Sequence, residues 1–138
     1  MVFYITKAGE DYPDPYDIGW LHLKDKKTGL SSEDAQSSKN YMVYVELLNF
    51  FGMAYTAYIN STKESYTFDD GHKSIFDGDR KIASLSFPGI KIEMDLKEVL
   101  QELQETLKQS CIDLAKHPDS NNSIILDLKD SFEISKNL

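Results

Sequence analysis

Asp69, Asp70, His72, Asp77 and Asp79 fall within one short stretch of this chain. Grouped carboxylates can hold Ca²⁺ or Mg²⁺, which take oxygen ligands. An Asp beside a His can also orient a general base. The spacing departs from a calcium-binding loop, however. Counted from Asp69, the twelfth position is Arg80, where a bidentate Glu is required. Lys73 and Arg80 also offset part of the negative field. Asp70-Gly71 and Asp77-Gly78 are ordinary turn pairs, so solvated turns account for this stretch. Neither a metal nor a cofactor is expected. As exposed acids, Asp69, Asp70, Asp77 and Asp79 would suit a basic partner better than a reaction.

A second group is Glu10-Asp11-Tyr12-Pro13-Asp14-Pro15-Tyr16-Asp17, with four acids and no base. Its two prolines hold the chain extended and remove two backbone donors. Tyrosine offers contact area with few rotors to freeze. Stiffness lowers the cost of ordering on binding. Tyr12, Asp14, Tyr16 and Asp17 are therefore candidate partner contacts. No nucleophile or base lies within local reach.

The remaining reactive residues are scattered. His22, His72 and His117 lack metal-ligand spacing. His22 reads as a packed strand residue, and His117 as a cation at a helix C-terminus. Cys111 is the only cysteine, so no disulfide can form within the chain. It falls on an apolar helix face and reads as a small buried hydrophobe. Phosphate-loop, dinucleotide and nucleophile-elbow motifs are missing.

The elements that position these residues must come from one domain, spanning 1–138. Its apolar content of 41 % is enough for a core. Val2–Thr6 and Trp20–Leu23 read as strands, followed by a polar, mobile connection at about 24–40. Ser31 could cap a short helix there. Tyr41–Ile59 is rich in β-branched and aromatic residues, with Gly52 in the middle. It reads as two strands turning near Asn49–Gly52, a helix followed by a strand being the alternative. Ser65–Phe68 is a further strand. Lys81–Phe87 and Ile90–Met94 alternate about Pro88-Gly89 and read as an antiparallel hairpin.

Asp95–Lys116 carries the clearest helix signal. Asp95 caps it, and Met94 and Val99 form a hydrophobic staple. Leu96, Val99, Leu100, Leu103, Leu107, Cys111 and Leu114 make its apolar face. Ser123–Leu128 and Phe132–Ile134 read as late strands. The expected fold is α+β: an antiparallel sheet with one long helix on one face.

Charge sets the functional expectation. The chain carries 23 acidic and 15 basic residues, a net charge of −8. A surface of that sign repels nucleic acid and attracts basic proteins. Nuclease sites are basic because their substrate is a polyanion, so a protein blocker gains by imitating its charge. Bacterial immunity proteins, which protect a cell from a sibling's toxin, share this size and charge, a likeness of class without a motif. The expectation is a non-catalytic inhibitor that occludes a basic partner such as a nuclease toxin. Two alternatives stand beside it. One is a ligand-binding domain or small enzyme with a sheet cavity lined by Tyr41, Tyr44, Tyr55, Tyr58 and Tyr66. The other is an assembly subunit that uses a strand edge. The N-terminus lacks a signal-peptide pattern and no stretch is long enough to span a membrane. A cytoplasmic location is expected.

Overall fold

Residues that alternate between apolar and polar build the larger sheet. Ala83, Leu85 and Phe87 of β6 (Ile82–Phe87) point inward, while Ser84 and Ser86 point outward. β7 (Ile90–Asp95) returns beside it from the Pro88-Gly89 turn, pairing Phe87 with Ile90 and Ile82 with Asp95. β4 (Lys63–Thr67) and β5 (Lys73–Asp77) complete an antiparallel sheet of order β4-β5-β6-β7. The computed structural model describes residues 2–9, 12–36 and 40–138.

β1 (Phe3–Lys7), β2 (Ile18–Leu23) and β3 (Tyr41–Met42) form a second antiparallel sheet of order β1-β2-β3. The α+β class stands, but one sheet with one helix becomes two sheets with three helices. The connection after β2 is tied at several points among its described residues. Lys24 bridges to Ser31, Ser31 caps a 3₁₀ turn at Ser32–Ala35, and Ser32 Oγ accepts the Leu23 amide at 2.9 Å. Residues 37–39 of that connection lie outside the described residues.

Three helices cover the inner side. α1 (Val43–Asn60) replaces the two strands expected over 41–59. Its buried residues Val43, Tyr44, Leu47, Phe50, Phe51, Ala54 and Ala57 follow the helical period, which outweighs local strand preference. Gly52 lies within this helix and marks no turn. A Cβ there would meet nothing within 4 Å, so this glycine sits on open helix surface. Ser61, in the left-handed conformation, ends the helix. α2 (Leu96–Leu114) forms as expected, with Asp95 accepting from the amides of Lys97 and Glu98.

α3 (Ser123–Ser135) replaces both late strands. Asn122, read as a turn residue, is its cap and accepts from the amides of Ile124 and Ile125. Ile124, Ile125, Leu128 and Phe132 recur at helical spacing and pack into the core. A short Ile-Ile-Leu-x-Leu run suits strand and helix equally, and packing against α1 and α2 decides between them.

Aromatic rings fill the space between the sheets. Phe50 of α1 meets Phe3 at 5.7 Å, Phe76 at 5.2 Å, Phe87 at 5.7 Å and Phe68 at 5.9 Å between centroids. The far end closes more tightly. An added Cβ on Gly78, in the β5–β6 turn, would sit 1.7 Å from the Ala57 carbonyl oxygen of α1. Two substitutions test this account in opposite directions. Gly52→Ala should raise stability by about 1 kcal/mol through helix propensity. Gly78→Ala should cost about 1–3 kcal/mol through overpacking. Thermal unfolding of both variants reads the signs.

Candidate functional site

The acidic–aromatic loop is held from both sides. Pro13 and Pro15 leave few backbone donors, and the carboxylates of Asp14 and Asp17 take up two of those that remain. Asp14 Oδ1 accepts the Tyr16 amide at 2.8 Å, and Asp17 Oδ2 accepts the Asp14 amide at 2.9 Å. Lys7 of β1 lies 3.4 Å from Asp17, anchoring the loop to the small sheet.

The opposite anchor is the α2–α3 connection, about a hundred residues away in sequence. Tyr12 donates to the Lys116 carbonyl at 2.8 Å, and Asn122 Nδ2 donates to the Tyr16 hydroxyl at 3.0 Å. His117 bridges the two segments: Nε2 lies 3.3 Å from Asp14 Oδ2, while Nδ1 accepts the Asp119 amide at 3.1 Å. This role adds to the end-of-helix position read from sequence. Tyr12 and Tyr16 keep 58 % and 55 % of their surface exposed, so both rings remain free for contact. Glu10 and Asp11 lie outside the described residues.

The acids of 69–79 separate. Asp69 and Asp70 sit in the β4–β5 turn, and Asp77 and Asp79 at the β5–β6 turn. β5 runs between them, about 17 Å by strand rise, so the two turns lie at opposite ends of the sheet. Asp70 Oδ1 accepts the His72 amide at 2.9 Å, and Asp77 Oδ1 accepts the Arg80 amide at 3.1 Å. Asp69 and Asp79 are the exposed members of each pair. Among the described residues, no group of His, Cys, Asp and Glu gathers to hold a metal ion.

One buried acid escaped the sequence reading. Glu46, on α1, is 7 % exposed and lines a cavity of about 30 Å³ with Trp20, His22, Tyr41, Asp69 and Asp70. Its position three residues after Val43 and four before Phe50 places it on the buried stripe. That signal vanished once the segment was read as strands. Tyr66 donates to Glu46 Oε2 at 3.2 Å. Burial, reinforced by the charges of Asp69 and Asp70, pushes the Glu46 carboxyl up to about 7 against the pull of the Tyr66 bond.

His22 is buried beside the same cavity, 2.5 Å from Thr6 Oγ1, and burial lowers its pKa. The cavity has room for about two waters at roughly 10–15 Å³ each, far below the size of a metabolite site. The tyrosines proposed to share a sheet cavity are dispersed. Tyr41 lines this space, Tyr44 lines another against α2, and Tyr55 stacks on Phe51. Cys111 is half-buried on α2, and burial pushes its thiol up, away from the reactive thiolate.

Comparison of the chain with protein-family models, curated proteins and solved structures finds no match. No described helix is long and apolar enough to cross a membrane.

Glu46 makes stability depend on pH. Its folded pKa lies above the unfolded one, so the folded state holds the proton more tightly. The stabilisation is complete below about pH 4.5 and lost by about pH 7, up to about 3 kcal/mol. Glu46→Gln keeps an acceptor for Tyr66 and removes the charge. Its Tm should exceed the parent's at pH 8, with the gap closing by pH 4. Parallel Tm curves for the two proteins would sink this assignment.

Proposed function

We propose that this chain is a non-catalytic acidic binding domain that neutralises a basic protein by occluding its active site. A nuclease toxin is the partner class that best fits the charge, with the chain acting as an immunity-type protein in the cytoplasm. The observation that carries this reading is the anchored loop at Tyr12–Asp17. It presents two exposed tyrosines and Asp14 from a backbone already ordered by contacts to β1 and to the α2–α3 connection. Preordering lowers the entropy lost on binding, and aromatic rings supply the contact area.

Net charge of −8 adds long-range attraction to a basic surface and disfavours direct contact with nucleic acid. Asp69 and Asp79, at opposite ends of β5, would extend the attractive field without sharing the loop's contact. Asp14, Tyr12 and Tyr16 would then form the contact itself, with Asp17 as its internal support.

Affinity capture from native cells at low salt, with a panel of basic nuclease domains supplied from outside, tests the reading. One stoichiometric basic partner released by salt is the expected result. Asp14→Lys should then slow association about tenfold or more at low salt, an effect that fades as salt rises. Asp69→Lys and Asp79→Lys should slow it less. Tyr16→Ala should act mainly on dissociation. A bound partner whose association rate ignores both salt and these reversals would refute the steering account.

A further inference from the structure

β7 is an edge strand. β6 pairs with one side of it, and among the described residues no strand pairs with the other. The two-residue loop Pro88-Gly89 sets which backbone groups face which way. Phe87 and Ile90 flank it and exchange both backbone hydrogen bonds, as the flanking pair of such a hairpin does. Ile90, Ile92 and Met94 therefore aim their backbone groups at β6. Lys91 and Glu93 aim theirs at the open edge.

Side chains divide the same way. Ile90, Ile92 and Met94 lie on the core face opposite Phe87, Leu85 and Ala83, and Lys91 and Glu93 lie on the helix-free face. Ile92 and Met94 are only half-buried, so the apolar face runs out to the edge. The edge opens on a cleft of about 500 Å³ whose walls also include the buried Val2 and the segment Lys24–Lys27. β1, the outer strand of the smaller sheet, is different: Thr106 of α2 donates to its Phe3 carbonyl at 2.7 Å.

We propose that β7 is the seam of a two-fold homodimer, pairing antiparallel with β7 of a second copy about Ile92. Two residues opposed across an antiparallel pair share a face, so only registers that match apolar with apolar are open. Centred on Ile92, Lys91 faces Glu93 of the second copy twice over. Ile90 faces Met94 of the second copy, and the two Ile92 side chains meet. Lys91 and Glu93 of the second copy then exchange two backbone hydrogen bonds through groups that already point outward.

The register centred on Lys91 would set Lys91 against itself, and the one centred on Glu93 would set Glu93 against itself; like charges directly opposite destabilise a pair. The latter register would also set Lys91 against Asp95, whose carboxylate is already committed to the amides of Lys97 and Glu98. The Ile92 register opposes only free opposite charges, and the strand's own sequence supplies the complementary partner. That self-match commits the edge to a second copy in preference to an unrelated strand. Each copy carries a charge of −8 and the seam is one short strand. It buries less than the roughly 1,600 Å² of a standard interface, so the dimer dissociates in the micromolar range or above.

Sedimentation velocity over a concentration series from micromolar to about millimolar reads the equilibrium. Lys91→Glu and Glu93→Lys should each weaken self-association about tenfold by placing like charges opposite each other. The double swap should restore it. Mixing the two single variants should give a heterodimer, because each then supplies what the other lacks. Glu93→Pro removes an outward N–H that β6 does not use, so it should leave the circular dichroism spectrum intact and the protein monomeric. A monomer at every concentration would overturn the proposal. So would a dimer indifferent to the charge swaps and to proline.

Discussion

Phe50 is the central ring of the aromatic contact through which the two sheets are joined. It projects from α1 into the rings of Phe3 in the smaller sheet and Phe76 and Phe87 in the larger one. Phe3 and Phe87 also face each other directly at 6.1 Å, so these rings join two sheets whose strands, among the described residues, do not pair with one another. Edge-to-face geometry at Phe76 and Phe87 gives the contact direction as well as buried area. Packing Phe50 inward also fixes the rotation of α1. Glu46, one turn earlier on the same face, is thereby carried into the interior beside Tyr66. The raised carboxyl pKa is a consequence of where Phe50 must go.

Placement of the helices then decides the surface. The loop at Tyr12–Asp17 leans on Lys116, His117 and Asn122, which join α2 to α3. That junction is positioned by α3 packing on α1 and α2. An acidic loop near the N-terminus is thus ordered by a turn near the C-terminus. Its tyrosine hydroxyls are spent on internal bonds, leaving ring faces exposed. Such a division suits recognition, because the polar ends are already satisfied and the apolar area is still available.

The larger sheet exposes one face and the β7 edge for a different reason. Helices and the smaller sheet cover the inner face, so the outer residues of β5, β6 and β7 are mostly Lys, Ser, Glu and Asp. Charge on an edge strand usually guards against unwanted pairing. On β7 the guard carries both signs, with Lys91 beside Glu93, so it disfavours most strands and suits its own copy in the proposed register.

Several features were legible in the sequence alone. Alternation about Pro88-Gly89 determined the β6–β7 hairpin, and the Asp95 cap with its leucine stripe determined α2, because both signals are local. The turns at Asp70-Gly71 and Asp77-Gly78 were also local, as was the acidic character of the Tyr12–Asp17 loop. Only tertiary structure decided that Tyr41–Ile59 and Ser123–Ile134 belong mainly to helices. Their residues suit either state, and burial against α2 and the sheets settles the choice. It also decided which acids act together. Asp69 and Asp79 are close in sequence but lie at opposite ends of a strand, whereas Asp14 and His117 are far apart in sequence and meet. Strand rise separates near neighbours and helix packing gathers distant ones, and neither distance is written in residue spacing.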